Sequence, residues 1–285
     1  MKASLIWILA LNTGLCAYRA NARMLVSLQK AMDKKMITAK ATCAGGLALK
    51  YSINNLAKDS VCLMLPAGWR FNSNAGKNDY QDILVTRDQL LVLGPKSSIT
   101  FDIKGYCCEA DKSGPVKGVA YTTGKMADSN LVKLALYLNA HPTDENTEQY
   151  AVWAISNNKP TSNITNANDS LAAALREFVA GVKGEPLPWF TLLKRARVTS
   201  AGEIQEIPLK LKATLRYNLA QAEYSYFYVL DAGGHKVGQI TGQWLIPGSE
   251  VAYPVNLALR GFQKGNYKLV LETKDNRLVE KDFEI

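Results

Sequence analysis

Histidine is almost missing from this chain: His141 and His235 are the only two among 285 residues. His141 stands before Pro142, His235 sits in the glycine-rich stretch Asp231–Lys236, and neither neighbours a cysteine in sequence. A structural zinc site wants Cys or His ligands in two closely spaced pairs. Cys43, Cys62, Cys107 and Cys108 do not offer that spacing, so no metal is expected. There is no G-x-S-x-G, no phosphate-binding loop, and no G-x-G-x-x-G between a strand and a helix, so no nucleotide cofactor is expected either. Internal repeats are absent. No apolar run approaches the ~20 residues of a membrane-spanning helix.

What is present begins with a leader. Met1-Lys2 gives a positive start, Ala3–Leu11 a short apolar run, and Ala20-Asn21-Ala22 an A-x-A cleavage site before Arg23. Residues 1–22 therefore read as a signal peptide, with cleavage after Ala17 as the alternative, and the chain is expected to be exported: secreted, periplasmic or at a cell surface. Export leaves Cys43, Cys62, Cys107 and Cys108, an even number in an oxidising compartment. The doublet Cys107-Cys108 is open to several readings: halves of separate disulfides, a metal corner, or a reactive thiol beside a spare. A bond between neighbours needs a strained ring, so pairing of Cys43 and Cys62 with one member each of the doublet is the easier geometry. The net charge of +9 is uneven. Residues 23–110 carry 12 basic and 7 acidic side chains, whereas residues 203–285 carry 10 of each. The lysines are scattered rather than clustered among aromatics, which argues against nucleic acid and fits a soluble surface with some affinity for acidic glycans.

Periodicity divides the mature chain. Leu47–Leu56 and Ser97–Cys107 alternate apolar and polar residues, and Gln81–Leu93 holds two β-rich pieces around Arg87-Asp88. Residues 23–113 thus read as a β-sandwich. The period then becomes helical. Asp128–Ala140, Thr143–Ser156 and Asn168–Val182 place apolar residues on one face behind Asp or Ser caps. Residues 114–198 read as a helical section packed on the sandwich, with Gly184–Phe190 and Lys194–Arg197 as a linker or short helix. From residue 203 to 285 about six strands return, with a glycine-rich hairpin at Asp231–Lys236. The expected class is mainly β with a helical insertion: a β-sandwich plus helices, then an Ig-like β-sandwich.

Two strings carry a resemblance. "GYCCE" (Gly105–Glu109) and "EQYAVWAI" (Glu148–Ile155) together resemble the thioester domains of bacterial surface adhesins. There an aromatic-Cys step and a helix reading T-Q-x-A-[IV]-W bring a cysteine to a glutamine, which lose ammonia and close an internal thioester. The resemblance implies Cys107, or Cys108, and Gln149 as the thioester pair, with Ala151, Val152 and Trp153 completing the helix motif. Glu148 stands where that motif has threonine. The C-terminal stretch around "AEYSYFYVLDAGGHKVGQI" and "GNYKLVLET" is similar to Ig-like modules of secreted bacterial proteins, which implies a spacer or docking role. Within it Tyr224, Tyr226 and Tyr228 alternate on one strand face and are the expected binding stripe.

No residue pair supplies the nucleophile and base of acid–base catalysis. The expected function is a non-catalytic binding, adhesion or accessory protein of the bacterial cell envelope. Its partner would be a protein or glycan at a cell surface, with membrane contact only peripheral. A covalent adhesin built on Cys107 or Cys108 and Gln149 is the alternative, and a secreted cysteine hydrolase using Cys108 and His141 a third.

Overall fold

The computed structural model describes residues 25–74, 80–166, 169–198 and 204–285. The leader read at residues 1–22 lies outside these residues. The chain is mainly β with a helical section. Among the described residues no helix is long and apolar enough to cross a membrane.

The first strands are β1 (Leu25–Ser27), β2 (Ile37–Gly45), β3 (Ala48–Asn55) and β4 (Val61–Leu65), with the short helix α1 (Leu28–Asp33) between β1 and β2. After them come β5 (Trp69–Phe71), β6 (Ile83–Leu84), β7 (Gln89–Leu93) and β8 (Ser98–Lys104). The set ends with β9 (Tyr106–Cys107), β10 (Ala120–Tyr121) and β11 (Lys125–Met126). They form three sheets, ordered β1-β4-β7, β10-β2-β3-β8 and β11-β5-β6-β9. The alternation seen in the sequence is the cause: Leu49, Tyr51 and Ile53 of β3 turn inward, and Val61, Leu63 and Leu65 of β4 do the same. Tyr51 meets Phe71 edge-on at 5.1 Å between ring centres.

Three helices follow: α2 (Ser129–Ala140), α3 (Glu145–Ser156) and α4 (Asp169–Lys183). Asp128 caps α2 through the Asn130 and Leu131 amides, and Asp144 caps α3 through the Thr147 amide. Leu131, Leu134, Tyr150, Val152 and Leu175 join the same core as the strands, so sheets and helices share one apolar interior. Helix α3 is enclosed on every side: each residue from Thr147 to Ala154 is buried.

The second unit is built from β12 (Phe190–Val198), β13 (Ile204–Leu219), β14 (Glu223–Leu230), β15 (Lys236–Leu245), β16 (Gly248–Ala258), β17 (Asn266–Thr273) and β18 (Arg277–Glu284). Two sheets, β12-β13-β16 and β15-β14-β17-β18, close on Leu211, Leu215, Phe227, Leu269, Leu271 and Phe283. Lys194–Arg197, expected in a linker or short helix, lies in strand β12 at the edge of the first of these sheets. The helical section therefore ends at Lys183 within its expected range of 114–198, and that range also contains β10 and β11. A basic edge strand is one that resists pairing with another chain.

One close approach sets the corner beside β5. Gly124 has φ +85°, and a Cβ there would stand 2.0 Å from the Trp69 indole nitrogen. Gly118 has φ +89° with open space around it. Gly124→Ala is expected to lower stability by more than the roughly 1 kcal/mol that a positive φ alone costs a non-glycine residue. Gly118→Ala should show only that smaller loss. Parallel urea melts of the two variants measure the difference, which is the indole contact.

Candidate functional site

The site starts at a sheet edge. Among the described residues strand β9 pairs with β6 alone, placing Cys107 opposite Ile83 and Tyr106 opposite Leu84. The Cys108 amide donates to the Asp82 carbonyl at 2.9 Å. Successive residues of a strand direct their main-chain groups to opposite sides. The amide and carbonyl of Cys107 therefore face away from β6 and need a partner elsewhere. Gln149 of α3 supplies both halves: the Cys107 amide donates to Gln149 Oε1 at 2.9 Å, and Gln149 Nε2 donates to the Cys107 carbonyl at 2.8 Å. One side chain stands in for a missing strand. Of the two expected thioester cysteines, Gln149 meets Cys107.

Neighbouring contacts hold α3 at that height. Glu148 is fully buried and pairs with Arg87 at 2.5 Å, while also accepting the Thr143 amide at 2.8 Å. The position that differs from the adhesin motif thus carries an internal ion pair. On the other side of the doublet, Arg70 bridges Asp82 and Glu109, and the Asp82 amide donates to Glu109 Oε2 at 2.6 Å. Neither network was read from the sequence. The signal available was a glutamate, Glu148, standing two residues before the apolar run Tyr150–Ile155.

Among the described residues Cys43, Cys62, Cys107 and Cys108 are drawn as thiols, with no disulfide between them. Cys43 of β2 is near enough to Cys107 to act on it electrostatically, whereas Cys62 lies on β4 in a different sheet. Burial pushes the Cys107 thiol up to about 12, with Glu109 and Cys43 adding to the rise. Burial also holds Cys108 well above the usual thiol value, against the opposing pull of Arg70. Both remain protonated at neutral pH, which is the opposite of an activated nucleophile. His141 does not reach them. It is exposed at the end of α2, with Nδ1 3.1 Å from the Tyr137 carbonyl and its ring stacked on Tyr137. His235 is paired with Asp231 in the β14–β15 hairpin. The structure does not assemble the Cys108–His141 pair that a hydrolase needs.

The expected tyrosine stripe is only partly open. Tyr224 and Tyr226 are exposed on β14, but Tyr228 is 3% exposed beneath the Lys236 ammonium, 3.9 Å from its ring centre. A residue missed by the sequence reading completes the surface: Trp244 of β15 pairs with Tyr224 in register and is 69% exposed. Tyr224 lies edge-on to both Trp244 (5.8 Å) and Tyr226 (5.5 Å). Gly242 makes this possible, because a Cβ there would stand 2.5 Å from the Tyr224 hydroxyl. The alternation of Trp244 with the inward Leu245 was the available signal.

Gln149→Met keeps the side-chain volume and removes both hydrogen bonds. It should lower unfolding free energy by about 2–4 kcal/mol, since each unpaired buried main-chain group costs roughly 1–3 kcal/mol. Urea denaturation measures this, and a loss below about 1 kcal/mol would mean that water or a rearranged strand takes over the edge.

No protein-family model matches the chain, and no curated protein matches it. Among solved structures, the β-glucosidase DesR of Streptomyces venezuelae, in complex with D-glucose, aligns over 87% of this chain at 11% identity and a TM-score of 0.18. The chain spans 46% of that enzyme's length, and a likeness this slight carries no argument about fold or activity.

Proposed function

We propose that the chain is an exported, non-catalytic binding protein of a bacterial cell envelope, which meets a glycan through the outer face of its second sandwich. The observation that carries this reading is the open aromatic surface of Tyr224, Tyr226 and Trp244 on β14 and β15. Scattered exposed apolar residues are ordinary, but three adjoining rings held in fixed mutual geometry are not. Aromatic rings pack on the apolar faces of sugar rings, and the tyrosine hydroxyls serve the sugar's polar rim. The buried, protonated cysteines and the solvent-facing histidines agree with a role without turnover. Trp244→Ala and Tyr224→Ala should each weaken binding to cell-wall polysaccharide at least about tenfold, as expected for hot-spot aromatics, with an unchanged melting temperature. Retention of full binding in both variants would remove this surface from the function.

A second reading is favoured by the contact between Gln149 and Cys107: the protein is a covalent adhesin. In that reaction Cys107 Sγ bonds to Gln149 Cδ, the Cδ–Nε2 bond breaks, and the thiol proton leaves with the amide nitrogen as ammonia. The Cys107 amide already donates to Gln149 Oε1, which polarises the carbonyl under attack. A thiol that keeps its proton has one to give to the leaving nitrogen. The resulting thioester would acylate an amine on its partner once. The intact mass of the mature protein should then be lower by one ammonia, and methylamine should add to Gln149. An unshifted mass, with Cys107 open to alkylation after denaturation, would leave the non-covalent reading alone.

A further inference from the structure

A cavity of about 530 Å³ lies where the helical section meets the second sandwich. Its size is that of a small-molecule site. Its polar wall comes from both units: Trp153 of α3, Lys159 and Ser162 from the segment after it, Lys194 of β12, Glu206 of β13, and Lys264 from the loop before β17.

Three lysines converge here, opposed by Glu206 and Glu284. Lys159 makes only a loose pair with Glu206, at 3.7 Å. Among the described residues Lys194 has no hydrogen bond and no ion pair within 4.0 Å, although it is only partly exposed. Burial pushes its pKa down; Glu206 and Glu284 oppose this, and Lys159 and Lys264 press it further. Two more groups lack partners. Trp153 is 6% exposed and its indole N–H has no acceptor; Glu206 Oε1 has no donor within hydrogen-bond distance, although the Tyr150 hydroxyl, itself unpaired, faces that carboxylate. Buried polar atoms are nearly always satisfied, and those that are not ask for an explanation.

We propose that this cavity binds a small anion that also carries hydroxyl groups, the chemistry of an acidic sugar. Its carboxylate sits between Lys194 and Lys264 and adds the negative charge that two glutamates leave short against three lysines. A ring oxygen or hydroxyl oxygen accepts from Trp153 Nε1, and a hydroxyl donates to Glu206 Oε1. Neutral sugar adds no charge to balance the third lysine, and a bare inorganic anion brings no array of hydroxyls for the two atoms beside them. The site is on β12 and β13, in the sheet opposite the one that carries Tyr224 and Trp244, and does not rest on the reading of that surface.

Calorimetric titration of the mature chain with D-glucuronate, D-glucose and inorganic phosphate tests it. Saturable one-to-one binding of glucuronate is expected, with glucose and phosphate each at least tenfold weaker. Lys194→Gln and Lys264→Gln should each weaken glucuronate at least tenfold, Lys194→Arg should retain it, and Trp244→Ala should leave it unchanged. Because Lys264 lies on a loop, its variant remains informative if Lys194→Gln fails to fold. Absence of saturable glucuronate binding overturns the proposal, as does binding indifferent to both lysine substitutions. Phosphate binding as tight as glucuronate overturns the acidic-sugar assignment, leaving a simple anion site.

Discussion

Two hydrogen bonds from the Gln149 carboxamide close the edge of the sheet that carries the cysteine doublet, and much of the first unit depends on them. A buried strand edge must find partners for its amides and carbonyls. Here the partner is a helix, which can offer only side chains because its own main chain is already paired. That solution demands that α3 sit at one height and one rotation. Three successive residues, turned ~100° from each other along the helix, enforce it. Glu148 reaches Arg87, Gln149 reaches Cys107, and Tyr150 turns toward Glu206 of the second unit. Through Tyr150 and Trp153 the helix faces the second sandwich, beside the turn Thr161–Asn163 that packs on β12.

The same enclosure decides what the cysteines can do. Thiols this deeply buried keep their protons, and the carboxylates Asp82 and Glu109 beside them reinforce the effect. General nucleophilic catalysis is disfavoured there. On the proposed reading, partners meet the aromatic face of β14 and β15 and the lysine-lined cavity between the units. The aromatic face is on the second sandwich, whereas the cavity reaches Ala110, two residues after the doublet.

Much of the architecture was legible in the sequence because half-buried strands and amphipathic helices impose different periods. The strands of the second sandwich from β13 to β18 each carry a visible alternation. Strand β12 does not, because its apolar residues Phe190 and Leu192 give way to Lys194 and Arg195, and a charge run reads as a solvated turn. Its pairing with β13 is a tertiary fact. Gln149 and Cys107 were linked through a family resemblance; nothing local tells a glutamine which main chain it will cover. Cysteine arithmetic points to disulfides, but number and compartment do not place sulfur atoms: Cys43 and Cys62 each lie in a different sheet from Cys107, and Cys43 is the one near enough to act on it electrostatically. Tyr228 was grouped with Tyr224 and Tyr226 by strand alternation, and only the position of Lys236 reveals that it is covered.

The central claim is that Gln149 serves as the missing strand at Cys107. Native-state hydrogen exchange of the Cys107 amide tests it most directly, because local opening and global unfolding are resolved residue by residue. The account predicts that this amide exchanges only through global unfolding, as slowly as the amides of the central strand β3. Exchange as fast as that of an open sheet edge would contradict it, showing that the carboxamide does not hold the strand and that α3 is positioned by other contacts.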